Sequence, residues 1–213
     1  MKNIRKIGRG LAQHIVDTTA LNAAANPIIG GLEVTAFGMS DEVSFNARIF
    51  ASVVGYLGVA SLISRGRDYS RSLFKITDKT SEKIQQVHDG AFIAAFNGFF
   101  CPIMYTYSGE TDVKKIIYGT LGAMAVGSIF GGTFGYSIDT FRDLIGLKSC
   151  ERESYPELIK KRKSSVKKGI AGLLIGTSIG INAGIYALTP DNHNIENLNN
   201  YEMKVDGDEK WKH

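Results

Sequence analysis

Three long stretches of the sequence lack charged residues altogether. No Asp, Glu, Lys or Arg occurs at 90–109, at 116–138 or at 169–190. At about 1.5 Å per residue, each stretch is long enough to cross a hydrocarbon core about 30 Å thick as a helix. Buried helices of soluble proteins rarely contain so long an uncharged run, although the mean hydropathy of −0.04 is ordinary for a soluble protein. The distribution of charge therefore predicts membrane-spanning helices, and a soluble helical bundle is the weaker alternative.

Proline and cysteine are also scarce. The 213 residues include four prolines and two cysteines, against 24 glycines, which membrane helices tolerate well. Cys101 and Cys150 lack the spacing of a metal site or a disulfide framework, so neither a metal nor another cofactor is expected. No H-E-x-x-H motif is present and no Ser/His pair is convincingly placed, so we do not expect an enzyme.

Lysine and arginine are distributed unevenly between the two sides of the predicted helices. Nineteen lie in the N-terminus and in the loops after the second and fourth helices, and five lie on the opposite side. The positive-inside rule then places the N-terminus in the cytoplasm and predicts a multi-pass protein of the cytoplasmic (inner) membrane. Because the spans separate the basic residues, the net charge of +4 reflects topology. The lipid bilayer is the expected partner, and no nucleic acid is expected.

The predicted fold is all-α: a polytopic helical membrane protein with a four-helix transmembrane core and a fifth, C-terminal transmembrane helix. The predicted spans are 12–37, 44–64, 87–107, 114–138 and 169–188. They divide the chain into a cytoplasmic N-terminus (1–11), a four-helix membrane domain (12–146), a basic cytoplasmic linker (147–168), the fifth helix (169–188) and a polar, extracytoplasmic tail (189–213).

Small residues recur at every fourth position in the last two predicted spans. The fourth span carries Gly119, Ala123, Gly127, Gly131 and Gly135, followed by Asp139, and the fifth carries Gly172, Gly176, Gly180 and Gly184. Residues four apart share a helix face, where small side chains let a second backbone approach closely. We interpret Gly127, Gly131, Gly135 and Asp139 as helix-packing positions, within the monomer or across a homo-oligomer. A role in lining a transport path is the alternative.

Four charged residues fall inside the predicted spans: Asp17, Glu33, Arg48 and Asp89. A charge at the centre of a membrane helix costs roughly 2.5–3.5 kcal/mol on insertion scales, so such residues are rarely kept without a partner or a function. Glu33 and Arg48 flank the first loop, which favours an ion pair between the first two spans. Asp17 and Asp89, with His14 and Asp139 nearby, are expected to form a protonatable cluster at the cytoplasmic end.

Amide side chains accompany these charges in the first and third spans. Asn22 and Asn26 share one face of the first span, and Asn97 shares a face of the third span with Asp89. Such facing stripes predict a hydrated path, and the Asn26-Pro27 break would free backbone carbonyls near the middle of the membrane. In the alternative interpretation, the asparagines join helices by hydrogen bonds and Arg48 extends to the membrane surface.

A more specific signal surrounds the first loop, where residues 33–48 read E-V-x-x-x-G-M-S-x-E-x-S-x-x-x-R. Residues 131–142 read G-x-x-x-G-Y-x-x-D-x-x-R, and further short matches are Val16-Asp17-Thr18, Arg67-Asp68 and Asp89. Through these motifs, residues 12–146 resemble the bacterial L-alanine exporter family (AlaE type), small four-helix inner-membrane proteins driven by the proton motive force. Pro102 lies later than the proline of that family's third span, and the fifth helix and the tail have no counterpart there.

The resemblance implies export of L-alanine, or of a similar small neutral amino acid, by proton antiport. It also implies that Asp17, Glu33, Arg48 and Asp89 are essential and that the proton is the coupling ion. On chemical grounds, a zwitterion needs a carboxylate for its ammonium, which Asp17 or Asp89 would supply, and a cation for its carboxylate, which Arg48 would supply. The alternative function is a non-transporting glycine-zipper protein that scaffolds a partner in the membrane.

Overall fold

The computed structural model describes residues 2–77 and 79–189, with side chains from residue 8 onward, and this part of the chain is helical without a strand. The helices are α1 (Lys2–Thr35), α2 (Asp41–Val54), α3 (Ala60–Leu73), α4 (Glu82–Tyr107), α5 (Val113–Ile145), α6 (Glu157–Lys160) and α7 (Ser164–Leu188). α1 begins at Lys2, so the predicted N-terminal segment 1–11 belongs largely to the first helix. The predicted tail, 189–213, lies outside the described residues except for Thr189.

Within the described residues, four helices are long and apolar enough to cross a membrane. They are Asp41–Leu73, which joins α2 and α3, then Glu82–Tyr107, Val113–Ile145 and Ser164–Leu188. An all-helical membrane protein is thereby supported, but the predicted total of five spanning helices is not. α1 has sufficient length and yet is not among the four, because its middle carries Asp17, two asparagines and Glu33.

The second span is interrupted by a wide turn at Gly55–Val59, where the amide of Ala60 donates to the carbonyl of Gly55, five residues earlier. Gly58 within this turn has φ +135°, a conformation that glycine adopts far more readily than other residues. A turn of this kind holds one more residue than a turn of α-helix. The predicted span 44–64 lies within this helix, which runs from Asp41 to Leu73 with a kink near its centre.

Side-chain caps explain where two of the helices begin. The Ser40 hydroxyl accepts a hydrogen bond from the Val43 amide (3.3 Å) at the start of α2, and Asp41 and Glu42 follow in the first turn. Negative charge at this position interacts favourably with the helix N-terminus. Asp112 caps α5 by accepting from the Lys114 amide (2.8 Å). These caps fix the two loops on the same side of the bundle.

The two glycine stripes have different surroundings. On α5, a Cβ added at Gly131 would lie 2.6 Å from the Cα of Gly90, and one at Gly127 would lie 3.0 Å from the amide nitrogen of Ala94, so α4 and α5 touch backbone to backbone. On α7, a Cβ at any of the four stripe positions would meet no described atom within 4 Å. The α7 stripe consists of Gly172, Gly176, Gly180 and Gly184. The same spacing therefore packs a helix in one span and leaves an open face in the other.

Candidate functional site

Two clusters of polar and charged side chains, most of them buried, lie near a central cavity. The first, here called the Glu33 site, comprises Glu33, Ser44, Arg48 and Tyr105. The second, here called the aspartate–arginine network, comprises Asp17, Asp68, Asp89, Asp139, Arg67, Arg71, Arg142 and Arg152. Together they contain all four of the charged residues that the sequence places inside spans.

The Glu33 site is built around a carboxylate with no exposed surface. Arg48 Nη2 donates to Glu33 Oε1 at 2.6 Å, the pair that the sequence predicts, and Tyr105 Oη donates to the same oxygen at 2.8 Å. Ser44 Oγ donates to Oε2 at 2.7 Å. Three donors from α2 and α4 thus replace the water that a buried carboxylate loses.

The loop between α1 and α2 brings these side chains together. Gly38 has φ +67°, and the amide of Met39 donates to the carbonyl of Glu33 at 3.0 Å, which turns the chain back on itself. Ser44 and Arg48 are four residues apart on α2 and therefore share the helix face that returns past Glu33. The short separation of Glu33 and Arg48 along the chain therefore accounts for their ion pair.

Arg48 retains unused hydrogen-bonding capacity. Its Nη2 contacts Glu33 and the sulfur of Met104 (3.4 Å), whereas its Nε is buried and has no hydrogen-bond partner among the described residues. A buried guanidinium nitrogen without a partner is unusual, because native proteins satisfy most buried donors. Arg48 also lines the central cavity, so its guanidinium combines an unpartnered donor with a position at the cavity wall.

The central cavity has a volume of about 100 Å³ and lies between α1, α2, α3, α4 and α5. This volume accommodates several water molecules or one small solute. Its polar lining consists of Arg48, Asn22, Asn26 and Asn97, so the three asparagines predicted to line a path all face it. Its other walls are mostly apolar, with aromatic rings from Phe96, Phe100 and Phe134. None of the described residues that line it is acidic.

The amide groups of two asparagines are held by their nitrogens. Asn26 Nδ2 donates to Ser52 Oγ at 3.2 Å, and Asn97 Nδ2 donates to the Ala123 carbonyl at 2.8 Å. Each amide oxygen is then the atom left to accept a hydrogen bond. The cavity therefore combines a cation with spare donors and neutral oxygens with spare acceptors.

In the aspartate–arginine network, every aspartate except Asp17 lies within 4.0 Å of at least two arginines. Arg142 binds Asp17 through both ends of its guanidinium, with Nε–Oδ1 at 2.7 Å and Nη2–Oδ2 at 2.5 Å, and it also lies 3.5 Å from Asp68. Asp89 accepts from Arg71 and lies 3.4 Å from Arg152. Asp139 pairs with Arg152 at 2.7 Å and with Arg67 at 3.3 Å. Asp17 is the exception, because its contacts are with Arg142 alone among the described residues.

Gly135 makes room for part of this network. A Cβ at this position would collide with Asp89 Oδ2 and lie 3.1 Å from Nη1 of Arg67, and that same nitrogen donates to the Gly135 carbonyl at 3.1 Å. The sequence predicts Gly135 and Asp139 as packing positions. In the structure both also contact the buried charges of the network.

The segment between α5 and α7 reaches into the network. The sequence predicts a basic linker at 147–168, yet Cys150, Arg152 and Tyr155 are buried and Ser154 Oγ donates to Glu82 at 2.7 Å. Burial, together with a hydrogen bond to Asp143, raises the pKa of the Tyr155 hydroxyl, and burial likewise raises the pKa of the Cys150 thiol. Residues 150–155 of the linker, here called the capping segment, thus pack against one end of the bundle.

The positions of the aspartates and of His14 differ from the predicted cluster. His14 lies apart, with Nδ1 2.6 Å from Ser61 Oγ and Nε2 2.7 Å from the Tyr56 carbonyl. Asp17 and Asp89 are held by arginines and do not line the cavity. The zwitterion scheme, in which one of them meets the substrate ammonium beside Arg48, is therefore not assembled in this conformation.

Sequence reasoning gave the four arginines of the network no role in a site: it counted them among loop residues that orient the protein, and Arg67 and Arg142 appeared otherwise only in the short motifs that carry the resemblance. The signal that points to them is spacing: Arg67 and Arg71 are four residues apart on α3, and Asp139 and Arg142 are three apart on α5. The sequence 176–180 also matches G-x-S-x-G, but it lies inside the continuous helix α7 and not on the strand-to-helix turn that such a nucleophile requires.

Comparisons with known protein families, with curated proteins and with solved structures give no match for this chain.

Proposed function

We propose that the protein exports L-alanine, or a similar small neutral amino acid, across the cytoplasmic membrane in exchange for protons. The observation that carries this proposal is the central cavity, whose lining includes Arg48, with an unpartnered Nε, together with Asn26 and Asn97, whose amide nitrogens are already bonded elsewhere. A small zwitterion needs these two kinds of group at opposite ends. The volume of about 100 Å³ suits a short side chain and disfavours a long one.

The proposed topology places the N-terminus and the aspartate–arginine network at the cytoplasmic side and the Glu33 site at the opposite side. α1 crosses with the four apolar helices, since it contacts α2, α3, α5 and α7, which cover its polar residues. The substrate then occupies the middle of the membrane, between two charged clusters.

In the bound state, the substrate carboxylate accepts from Arg48 and its ammonium donates to the amide oxygens of Asn26 and Asn97. The apolar walls around Ile29 and Phe100 receive the methyl group. This arrangement replaces Asp17 or Asp89 as the first ammonium partner, because both carboxylates are occupied by arginines.

Antiport requires the proton and the substrate to exclude each other at one group. A carboxylate that binds either a proton or the substrate ammonium satisfies this requirement, and we assign the role to Asp89. Loading Asp89 requires an arginine to leave it. Arg152 lies outside the spanning helices and can leave with the capping segment, while Arg71, which donates to both oxygens of Asp89, must also release one of them.

If Glu33 carried the proton, the proton and the substrate would be coupled in the opposite way. When Glu33 is protonated, it releases Arg48 for the substrate carboxylate, so the proton and the substrate would bind together and travel in the same direction. The choice between Asp89 and Glu33 therefore distinguishes antiport from symport.

The test is accumulation of labelled L-alanine in everted membrane vesicles whose interior is made acidic. We expect accumulation by the unaltered protein, its loss in Asp89→Asn, and unchanged accumulation in Glu153→Gln, which removes an exposed carboxylate from the capping segment. Absence of accumulation by the unaltered protein, or accumulation that persists in Asp89→Asn, would contradict the proposal.

The second candidate function, a glycine-zipper scaffold, draws on the open glycine face of α7. It requires no buried charge for activity. Asp17→Asn and Arg48→Gln would then leave function intact, whereas Gly131→Leu would abolish it by separating α4 from α5.

A further inference from the structure

The last turns of α7 lie against the Glu33 site. The Tyr186 hydroxyl is 3.1 Å from Ser44 Oγ, and the Tyr186 ring meets the edge of Phe45 at a centroid distance of 5.6 Å. One turn further on, Thr189 Oγ1 donates to Asp41 Oδ2 at 3.0 Å. α7 is thus joined to the start of α2 by side-chain contacts on the face that carries Ser44.

The direction of the hydrogen bonds is determined by the chemistry of the three groups. Ser44 has a single hydroxyl proton, which it donates to Glu33 Oε2 at 2.7 Å, so Ser44 must accept from Tyr186. The resulting chain runs from Tyr186 through Ser44 to Glu33. Bonds in such a chain polarise and strengthen one another in a buried setting.

α1 has a glycine where the Tyr186 hydroxyl approaches it. A Cβ at Gly30 would lie 2.9 Å from this hydroxyl oxygen, which is too close for any real Cβ contact. Asn182, one turn earlier on α7, places an amide oxygen 3.7 Å from the same point, and that oxygen is buried without a partner among the described residues. The polar side of α7 is therefore directed at a gap in α1 beside the Glu33 site.

We propose that Tyr186 is a positioning residue of the transport site and that α7 is part of the transport machinery. By holding Ser44, Tyr186 fixes the orientation of Glu33, and Glu33 in turn holds Arg48 by one nitrogen and leaves its Nε toward the substrate. This inference rests on the proposed function for the identity of the substrate. It assigns a role to a helix that has no counterpart in the four-helix pattern to which the sequence is similar.

The first test measures the kinetics of alanine transport in Tyr186→Phe, which removes the hydroxyl and keeps the ring. We expect KM for L-alanine to rise about fivefold, the usual effect of one neutral hydrogen bond, while kcat stays within about twofold. The matched control is Tyr118→Phe, which removes a hydroxyl from an exposed position on α5 and should leave both constants unchanged. An unchanged KM in Tyr186→Phe would overturn the proposal.

The second test approaches the same hydroxyl from α1. Gly30→Ala displaces the Tyr186 hydroxyl, so its KM should rise like that of Tyr186→Phe. In the double variant the hydroxyl is already absent and the new methyl group fits, so KM should be no higher than in either single variant. Multiplied effects in the double variant would show two independent sites and would overturn the proposal.

Thermal unfolding in detergent separates this inference from the proposed function. It is measured for the unaltered protein, for Gly30→Ala, for Tyr186→Phe and for their double variant. If the unaltered protein does not transport alanine, the proposed function fails, and the unfolding cycle still reports on the contact. Non-additive midpoints for Gly30→Ala and Tyr186→Phe support the packing of the Tyr186 hydroxyl against Gly30, and additive midpoints overturn it.

Discussion

The Glu33 site and the aspartate–arginine network both bury carboxylates against arginines, yet they differ in how each charge is partnered. At the Glu33 site one carboxylate faces one guanidinium, and the remaining partners are hydroxyl groups. In the network four aspartates alternate with four arginines, and most of these groups have two or more partners of opposite charge.

This difference indicates how each cluster responds when a proton or a substrate binds. A single ion pair supported by neutral hydroxyls changes its net charge as soon as a proton or a substrate enters. A balanced network redistributes its contacts and resists such a change. Under the proposed function, the Glu33 site therefore suits substrate recognition, whereas exchange at Asp89 in the network first requires an arginine to leave.

The largest expected effect is the loss of Arg142 from the network. Because Asp17 has no other arginine among its described contacts, Arg142→Gln leaves a buried carboxylate uncompensated, at a cost of roughly 3–5 kcal/mol. We expect the folded protein to be lost or its unfolding midpoint in detergent to drop sharply. Arg65→Gln, at an exposed position on α3, is the control.

The double variant Asp17→Asn with Arg142→Gln removes both charges and should recover much of the lost stability. If Arg142→Gln unfolds at the same temperature as the unaltered protein, the network does not stabilise the fold through Arg142.

A smaller effect is expected when one methyl group is added to each glycine stripe. Gly135→Ala drives a Cβ into Asp89 and should destabilise the fold by about 1–3 kcal/mol through overpacking. Gly176→Ala has no neighbour within 4 Å among the described residues and should stabilise α7 by about 0.5–1 kcal/mol, because alanine favours helix. The measurement is the unfolding midpoint of each variant in detergent. Equal midpoints would contradict the difference in packing between the two glycine stripes.

At the Glu33 site, Arg48→Lys keeps the charge and removes the fork of donors. We expect KM for L-alanine to rise at least about tenfold while the protein remains folded, because an ammonium cannot hold Glu33 and a substrate carboxylate with one planar group. The measurement is uptake into everted vesicles alongside size-exclusion chromatography of the variant. A KM equal to that of the unaltered protein would argue against Arg48 as the carboxylate partner.

The smallest effect is expected in the capping segment. Burial raises the pKa of the Cys150 thiol, so little thiolate exists at neutral pH, and alkylation should be slow and should accelerate as the pH rises toward that pKa. Arg152→Ala frees the segment from Asp139 and should speed Cys150 labelling several-fold, with Arg162→Ala as the exposed control. Mass spectrometry reports both rates. Equal labelling in both variants would show that Arg152 does not hold the segment.

Several features of the fold follow from the sequence because lipid imposes them. Of the uncharged stretches, residues 90–107, 116–138 and 169–188 lie in helices that are long and apolar enough to span, since a membrane admits few other structures. The proximity of Glu33 and Arg48 follows from a short loop between them.

Other features depend on which way a helix faces, which periodicity alone does not determine. The positive-inside rule counts Arg67, Arg71 and Arg142 as loop residues because it considers position along the chain and not direction. The two glycine stripes have the same spacing, but a backbone lies against one of them alone. α1 is likewise too polar to be among the four apolar helices, although it contacts α2, α3, α5 and α7.

The wide turn at Gly55–Val59 sets the rotational phase of the second span. Arg48 and Arg67 are 19 residues apart, and at about 100° per residue a regular helix would leave them on faces about 100° apart. The turn absorbs one extra residue, so both arginines are buried, one at the Glu33 site and the other in the network. An insertion or deletion in this turn would therefore rotate one half of the span against the other, which a substitution would not do. Removing one residue would turn one half of the span by about 100° and separate one arginine from its carboxylate.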